Sequence, residues 1–226
     1  MNYYHADGYY NISDLLFFIG WVLFLNISVA LSGVFADEKT CKTDAIILST
    51  KKGHIQVCFA KTAAGITVSL LQAAVIIGTL SEILLAIFGT EGKDGVIQNS
   101  IPSSPRNITV GQMFGFLIFL AVITTVLFAL ANMFLSQVTH SSVATMAIQV
   151  AILLAGLFNL PKSLGIITKL WQLRPTMAVY YGTFCNMFRY GKLDNITASF
   201  LIYGICIVLL ATALIISYKK SRVESR

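Results

Sequence analysis

The sequence is poor in charged side chains. Only 12% of its 226 residues are Asp, Glu, Lys or Arg, whereas an average soluble domain contains about a quarter. Hydrophobic residues make up 56% of the chain, and its mean hydropathy is +0.77. A surface with so few charges is unsuited to water, so the composition excludes an ordinary soluble domain.

Residue patterns typical of catalysis or metal binding are also scarce. The glycine-containing stretch 89–94 lacks both the spacing and the hydroxyl of a phosphate-binding loop. The three histidines lie in different segments, and the four cysteines are scattered in a way that favours neither a disulfide framework nor a zinc site. We therefore expect no catalytic residue, metal or cofactor on this chain, and no enzyme activity of its own.

Five long runs lack Asp, Glu, Lys, Arg and His, and they contain between 20 and 33 residues. A helix of about 20 apolar residues crosses a bilayer. Because the runs lack the alternation of barrel strands, they predict an all-α polytopic membrane protein. We interpret the first run as a retained span, since no basic residue precedes it as in a secretory signal. The predicted spans are 15–36, 62–88, 111–135, 142–160 and 197–217.

The basic residues predict the orientation of a single transmembrane domain, 1–226. Segment 1–14 has no Lys or Arg, whereas the loop 37–61 has five lysines and the C-terminal tail is basic. The positive-inside rule places the N-terminus outside and the C-terminus in the cytoplasm. Segment 89–110 has the glycines and prolines of an irregular loop. The aromatic-rich external stretch 161–196 predicts one or two short interfacial or re-entrant helices.

The cytoplasmic segment 37–61 contains a predicted short helix outside any span. Thr43 or Asp44 can cap its N-terminus, and an apolar run follows from Ala45 to Leu48. Two lysines then favour a helix C-terminus, where Gly53 can supply a left-handed cap. From His54 a second helical stretch leads into the next span. Such a short helix can rest on lipid head groups, or it can be an element that a soluble partner grips.

Three parts of this segment resemble the cytoplasmic segment of type-2 ABC exporter permeases: 35–38 (FADE), 43–53 (TDAIILSTKKG) and Ala60-Lys61. In that family an acidic residue follows a span, a T-D-x-x-L-S-T stretch forms the coupling helix, and A-K opens the next span. The coupling helix docks in a groove of the ATPase subunit. The resemblance assigns ATPase coupling to Asp44, Ala45, Ile46, Ile47, Leu48, Ser49, Thr50, Lys51, Lys52 and Gly53.

The resemblance implies a permease subunit in the plasma membrane of a bacterium. Its expected partners are an ABC ATPase subunit, a second permease subunit and the lipid bilayer. ATP and Mg²⁺ would be bound by the ATPase rather than by this chain. Family members usually have six spans with the coupling segment after the second, so the resemblance implies that fold without its first span. The net charge of +6 follows from the basic loops and predicts no nucleic-acid partner.

Several residues within the spans are candidates for transport or packing. Glu82, Asn132 and Gln149 are polar groups that can line a transport path or bond neighbouring helices. Gly111 and Gly115 form a G-x-x-x-G pattern that favours close helix packing, and Ala60, Ala64 and Gly65 are interpreted in the same way.

Two alternative functions stay open at this point. One is a non-transporting membrane scaffold or interaction protein, with Asn107 and Asn195 glycosylated in external loops. The other is a truncated remnant of a longer permease. The substrate class is not readable from the sequence.

Overall fold

The computed structural model describes residues 7–41, 53–89, 93–97, 107–158, 165, 168, 171, 174–178, 189–190 and 193–224. These residues are mainly helical, which agrees with the predicted class. The helices are α1 (Asp7–Leu31), α2 (Gly33–Thr40), α3 (Gly53–Phe88), α4 (Val110–Thr139), α5 (Ser142–Ala155), α6 (Pro175–Ala178) and α7 (Asn195–Glu224). Two short strands, β1 (Arg189–Tyr190) and β2 (Leu193–Asp194), form an antiparallel pair with Arg189 opposite Asp194.

Four helical stretches in the described part of the chain are long and apolar enough to cross a membrane: Leu15–Glu38, Gln56–Ile87, Val110–Thr139 and Thr197–Lys220. They contain 24, 32, 30 and 24 residues, each more than the ~20 that a hydrocarbon core requires. The chain is therefore compatible with a membrane-embedded helical protein, as its composition predicted.

The fourth predicted span, 142–160, is not confirmed as a crossing helix. Its described part is α5, an apolar helix of 14 residues, whose length of about 21 Å is short of the ~30 Å hydrocarbon core. The helix ends at Ala155, and its last turn is tightened by the Gly156 amide, which bonds the carbonyls of both Ile152 (3.1 Å) and Leu153 (2.8 Å). The described helices thus give four spans of sufficient length, not the expected five.

Helix α3 confirms that the stretch after Gly53 continues without interruption into the second span. It has 36 residues and ends at Phe88. At the next residue, Gly89, φ is +84° and the amide bonds the Leu85 carbonyl at 2.9 Å. Glycine adopts this left-handed conformation without the steric cost of a Cβ. The described residues that follow, 93–97 and 107–109, are irregular apart from a bridge between Val96 and Thr109, as the turn residues predicted.

Local sequence signals fix the starts of α4 and α5. The Thr109 amide donates to the Gln112 side chain at 3.1 Å, and the Gln112 amide donates to the Thr109 hydroxyl at 3.3 Å. This reciprocal pair is a capping box. Ser141 caps α5 by accepting a bond from the Ala144 amide at 3.3 Å. The short α6 begins at Pro175, and proline is favoured at the first position of a helix. Most of 161–196 lies outside the described residues, so the interfacial or re-entrant helices expected there stay a prediction.

The chain divides into two compact units. The first comprises Met1–Val22, Ala73–Thr124 and Phe158–Ile202, and the second comprises Leu23–Gln72, Thr125–Leu157 and Tyr203–Arg226. In the first unit, Val110 is buried against Leu85 and Phe114. In the second, Phe24 of α1 stacks on Phe128 of α4 with ring centroids 4.7 Å apart.

Candidate functional site

The first long span is interrupted at Ser32, where α1 ends and α2 begins. The first amides of a helix have no partner within it and need one from elsewhere. The buried hydroxyl of Ser136 on α4 accepts from the amides of Phe35 (3.2 Å) and Ala36 (3.0 Å), and it donates to the Ser32 carbonyl at 2.6 Å. One hydroxyl of a distant helix therefore satisfies three backbone groups at the interruption.

Lys61 joins α3 to α2. Its Nζ donates to the Val34 carbonyl at 2.8 Å and forms an ion pair with the Glu38 carboxylate. The same ammonium group lies 5.2 Å from the centre of the Phe35 ring, within the range of a cation–π contact. The side chains of Lys61 and Glu38 are only 22% and 20% exposed, so the pair is partly protected from water.

Helix α2 also contacts α5 and α7. The Ser142 hydroxyl at the first residue of α5 donates to the Asp37 carboxylate at 2.5 Å. Phe35 is 1% exposed and meets the ring of Tyr218 on α7 edge to face, with centroids 5.8 Å apart. The eight residues of α2 are thus attached to every other long helix of the second unit. We call Phe35, Glu38, Lys61, Ser136 and Tyr218 the α2 cluster.

The same unit brings α1, α3 and α4 into close contact beside the cluster. A Cβ atom built on Gly65 would lie 2.6 Å from Met133 Sδ and 3.5 Å from Leu31 Cδ2, so only a glycine fits here without a shift of the neighbours. The Asn132 amide nitrogen donates to the Ile27 carbonyl at 3.3 Å. These contacts agree with the packing role predicted for Gly65 and with the inter-helix alternative for Asn132.

The residues assigned to ATPase coupling, Asp44 to Lys52, lie outside the described residues. Gly53 is the first residue of α3. The structure nevertheless describes both ends of the loop, because α2 ends at Thr40 and α3 begins at Gly53. The Glu38–Lys61 ion pair connects these two helices across the base of the loop.

The polar residues predicted within the spans differ in their surroundings. Glu82 is exposed, and it lies about 32 Å along α3 from Lys61 at the helical rise of 1.5 Å per residue. Because this length matches the hydrocarbon core, α3 can place Lys61 at one membrane surface and Glu82 near the other. Asn132 and Gln149 are buried, and Asn132 Oδ1 and Gln149 Nε2 have no hydrogen-bond partner among the described residues.

In the described part of the chain, the two glycines of the G-x-x-x-G pattern are not packed against another helix. A Cβ on Gly111 would lie 3.2 Å from the Lys93 carbonyl oxygen, and the Gly111 amide donates to that oxygen at 2.9 Å. A Cβ on Gly115 would meet no atom within 4 Å. Gly111 thus permits close approach of the preceding loop, and the packing role of Gly115 stays a prediction.

Chemical groups for catalysis or metal binding are not brought together in the described ranges. No three His, Cys, Asp or Glu side chains there could hold a metal ion. Cys41, Cys58 and Cys206 are free thiols, and Cys185 lies outside the described residues. The contacts of the α2 cluster hold α2 against α3, α4 and α7.

No family is shown by comparison. No protein-family model matches this chain, and neither a curated protein nor a solved structure matches it at a significant level. Its function therefore has to be argued from its own residues.

Sequence analysis did not find the central residue of the cluster. Ser136 is one hydroxyl in an apolar helix, and nothing local marks it as the partner of amides about 100 positions away. Glu38 and Lys61 belong to the stretches that resemble the permease family, but the resemblance does not predict that they form an ion pair. Their opposite charges on the two sides of one loop were the signal that could have suggested it.

Proposed function

We propose that this chain is a membrane-spanning permease subunit of an ATP-driven type-2 ABC exporter. The single observation that carries the proposal is the Glu38–Lys61 ion pair at the base of the loop. That loop contains Asp44–Gly53, which resembles a coupling helix. The ion pair supports the proposal because a coupling element needs a stiff attachment to the spans that it moves.

In the proposed mechanism, a separate ATPase subunit binds ATP and Mg²⁺, and it also binds the segment Asp44–Gly53 on the cytoplasmic side. Closure of two ATPase subunits would displace the loop, and Lys61 would make α2 and the start of α3 move together. The interruption at Ser32 allows α2 to change its angle to α1, as element-terminal residues do in hinge movements. Ser136, Ser142 and Tyr218 would pass that change to α4, α5 and α7.

The permease would work as one of two facing subunits in the plasma membrane, with its N-terminus outside and its C-terminus in the cytoplasm. The nucleotide state biases an equilibrium between two arrangements of the pair, and these expose the substrate route to opposite sides. Glu82, Asn132 and Gln149 are candidates for contacts along the route or between helices. The substrate itself is unidentified.

Affinity purification of the tagged chain from its native membranes tests the proposal. We expect mass spectrometry to find an ATPase with a phosphate-binding loop in near-stoichiometric amount. A variant that combines Leu48→Asp, Lys51→Glu and Lys52→Glu should lose this ATPase yet insert normally. The control is Lys219→Glu with Lys220→Glu, which makes the same charge reversal at the exposed end of α7 and should retain the ATPase.

Either of two results would contradict the proposal. One is an intact, folded chain that brings down no ATPase. The other is equal recovery of the ATPase with the triple variant and the control, which would remove the coupling assignment from Asp44–Gly53.

A further inference from the structure

An amide side chain of α1 is directed to the surface of the protein at the centre of the first span. Asn26 is exposed and lies midway along the uncharged run between Asp14 and Asp37. At 1.5 Å per residue it is about 18 Å from Asp14 and about 17 Å from Asp37. A membrane that covers this run therefore places the Asn26 amide close to the hydrocarbon midplane.

The Asn26 amide makes no hydrogen bond within the part of the chain that the structure describes. Two polar side chains near it differ in this respect, because Ser28 bonds the Phe24 carbonyl and the Asn132 amide nitrogen bonds the Ile27 carbonyl. Lipid tails offer neither a donor nor an acceptor, so an exposed amide at this depth is costly until a second polar group reaches it. Polar side chains on the lipid-facing side of a span are accordingly rare and mark contacts.

The side chains next to Asn26 form an uncharged face. Leu25 and Val29 are 41% and 58% exposed, and Ala30 is exposed beside them. The spacing of Leu25, Asn26, Val29 and Ala30 puts them on one side of the helix, as neighbours three and four positions apart. The small Ala30 allows a second helix to approach closely.

We infer that Asn26 and its neighbours Leu25, Val29 and Ala30 bind the same face of a second copy of this chain. The chemistry of the amide selects this occupant, because one side chain contains both a donor and an acceptor. Across a two-fold axis, two identical Asn26 amides can donate to each other, and every contact is repeated by symmetry. The face presents no charge that calls for an opposite charge on a different partner.

The inference rests on the proposed function only in that a permease of this kind works as a pair. The contact surface itself is argued from Asn26. A pair could form through this face even if no ATPase bound the chain, and an ATPase could bind a chain whose partner used another face. The two proposals therefore fail separately.

Disulfide trapping in native membranes tests the location of the contact. Val29→Cys leaves Asn26 in place, and we expect it to give a disulfide-linked dimer under mild oxidation, since facing positions near a two-fold axis come within disulfide range. The control is Val208→Cys on α7, which is 61% exposed and should give only the background of the native cysteines. Equal linkage at both positions, or none at Val29, would overturn the inference.

A dimerisation measurement tests the role of the amide. The purified full chain, labelled with donor and acceptor fluorophores and diluted in lipid vesicles, should show a dissociation constant about tenfold larger for Asn26→Leu than for the unchanged chain. Asn26→Gln keeps both hydrogen-bonding groups and should restore most of the affinity. Val75→Leu on α3, also lipid-facing, should have no effect.

Two outcomes of that measurement would contradict the second copy as the occupant. Asn26→Leu could leave the dissociation constant unchanged, which would remove the amide from the contact. The pure chain could also stay monomeric while purification from native membranes shows a different membrane protein linked to Val29→Cys, which would assign the face to that protein. Because Asn26 is exposed, each variant should keep the thermal stability of the unchanged chain.

Discussion

The ammonium group of Lys61 on α3 pairs with the Glu38 carboxylate on α2, although the candidate coupling segment separates the two residues in the chain. The same Nζ atom also bonds the Val34 carbonyl at 2.8 Å. One side chain thus joins α3 to α2 at two points about one turn apart on the same face of α2.

Replacing Lys61 by Met should lower the free energy of unfolding by about 1–2 kcal/mol. Glu38 would lose its ion pair with Lys61 in a position only 20% exposed, which costs more than losing a surface pair but less than losing a fully buried one. Thermal unfolding in lipid measures the change, and a double-mutant cycle with Glu38→Gln isolates the pair. The matched control is Lys219→Met, an exposed lysine, for which we expect no change. Equal effects of the two lysine variants would show that the pair contributes nothing.

Ser136→Ala should lower the free energy of unfolding by about 2–3 kcal/mol. The substitution leaves the buried amides of Phe35 and Ala36 without their acceptor, and an unsatisfied buried group costs about 1–3 kcal/mol. Ser69→Ala is the control, since Ser69 is equally buried but bonds only the Gly65 carbonyl of its own helix. In the same unfolding assay, Ser69→Ala should lower the free energy of unfolding by less than half as much as Ser136→Ala. A similar cost for both serines would mean that the interruption of α1 does not depend on Ser136.

Gly65→Val should lower the free energy of unfolding by about 1–3 kcal/mol. The added side chain would overlap Met133 on α4, so the neighbouring side chains must shift to make room for it. Combining it with Met133→Ala makes room for the valine and should recover part of the loss. Gly78→Val in the same helix is the control, as a Cβ there meets no atom within 4 Å. The measurement compares the unfolding temperatures of the unchanged chain, the two single glycine variants and the double variant. If Gly78→Val were as harmful as Gly65→Val, helix propensity and not packing would explain both.

The two chain ends should lie on opposite sides of the membrane. Four described helical stretches are long enough to cross, so this orientation requires a further crossing by α5 together with the residues after Ala155. Protease accessibility of N- and C-terminal tags in sealed, oriented vesicles shows on which side of the membrane each chain end lies. We expect only the N-terminal tag to be cleaved from outside. Cleavage of both tags, or of neither, would mean that α5 enters the membrane without crossing it.

Much of the fold could be predicted because it depends on local properties. The uncharged runs located the four long spans, and the turn residues after Gly89 located the irregular loop. The length of α5 could not be predicted in this way, because the apolar run continues past the residue where the helix ends. Its last turn is closed by backbone bonds of Gly156, which hydropathy does not register.

The candidate site, too, could be predicted only where its features are local in the sequence. The motif at Asp44–Gly53 and the residues around it could be recognised because they are contiguous in sequence. The environments of Glu82 and Asn132 could not, since one is exposed and the other is buried although both were interpreted as polar groups within spans. Which side of a helix meets a neighbour depends on how the helices pack.

The sequence by itself determined that the chain forms long apolar helices, because in hydrocarbon each backbone amide must find its partner within its own segment. It also determined where capping residues such as Thr109 and Ser141 start those helices. Only the tertiary structure decided that the Ser136 hydroxyl supports the interruption at Ser32. The physical reason is that side chains about 100 positions apart meet only when packing selects one orientation of each helix, and no local pattern carries that information.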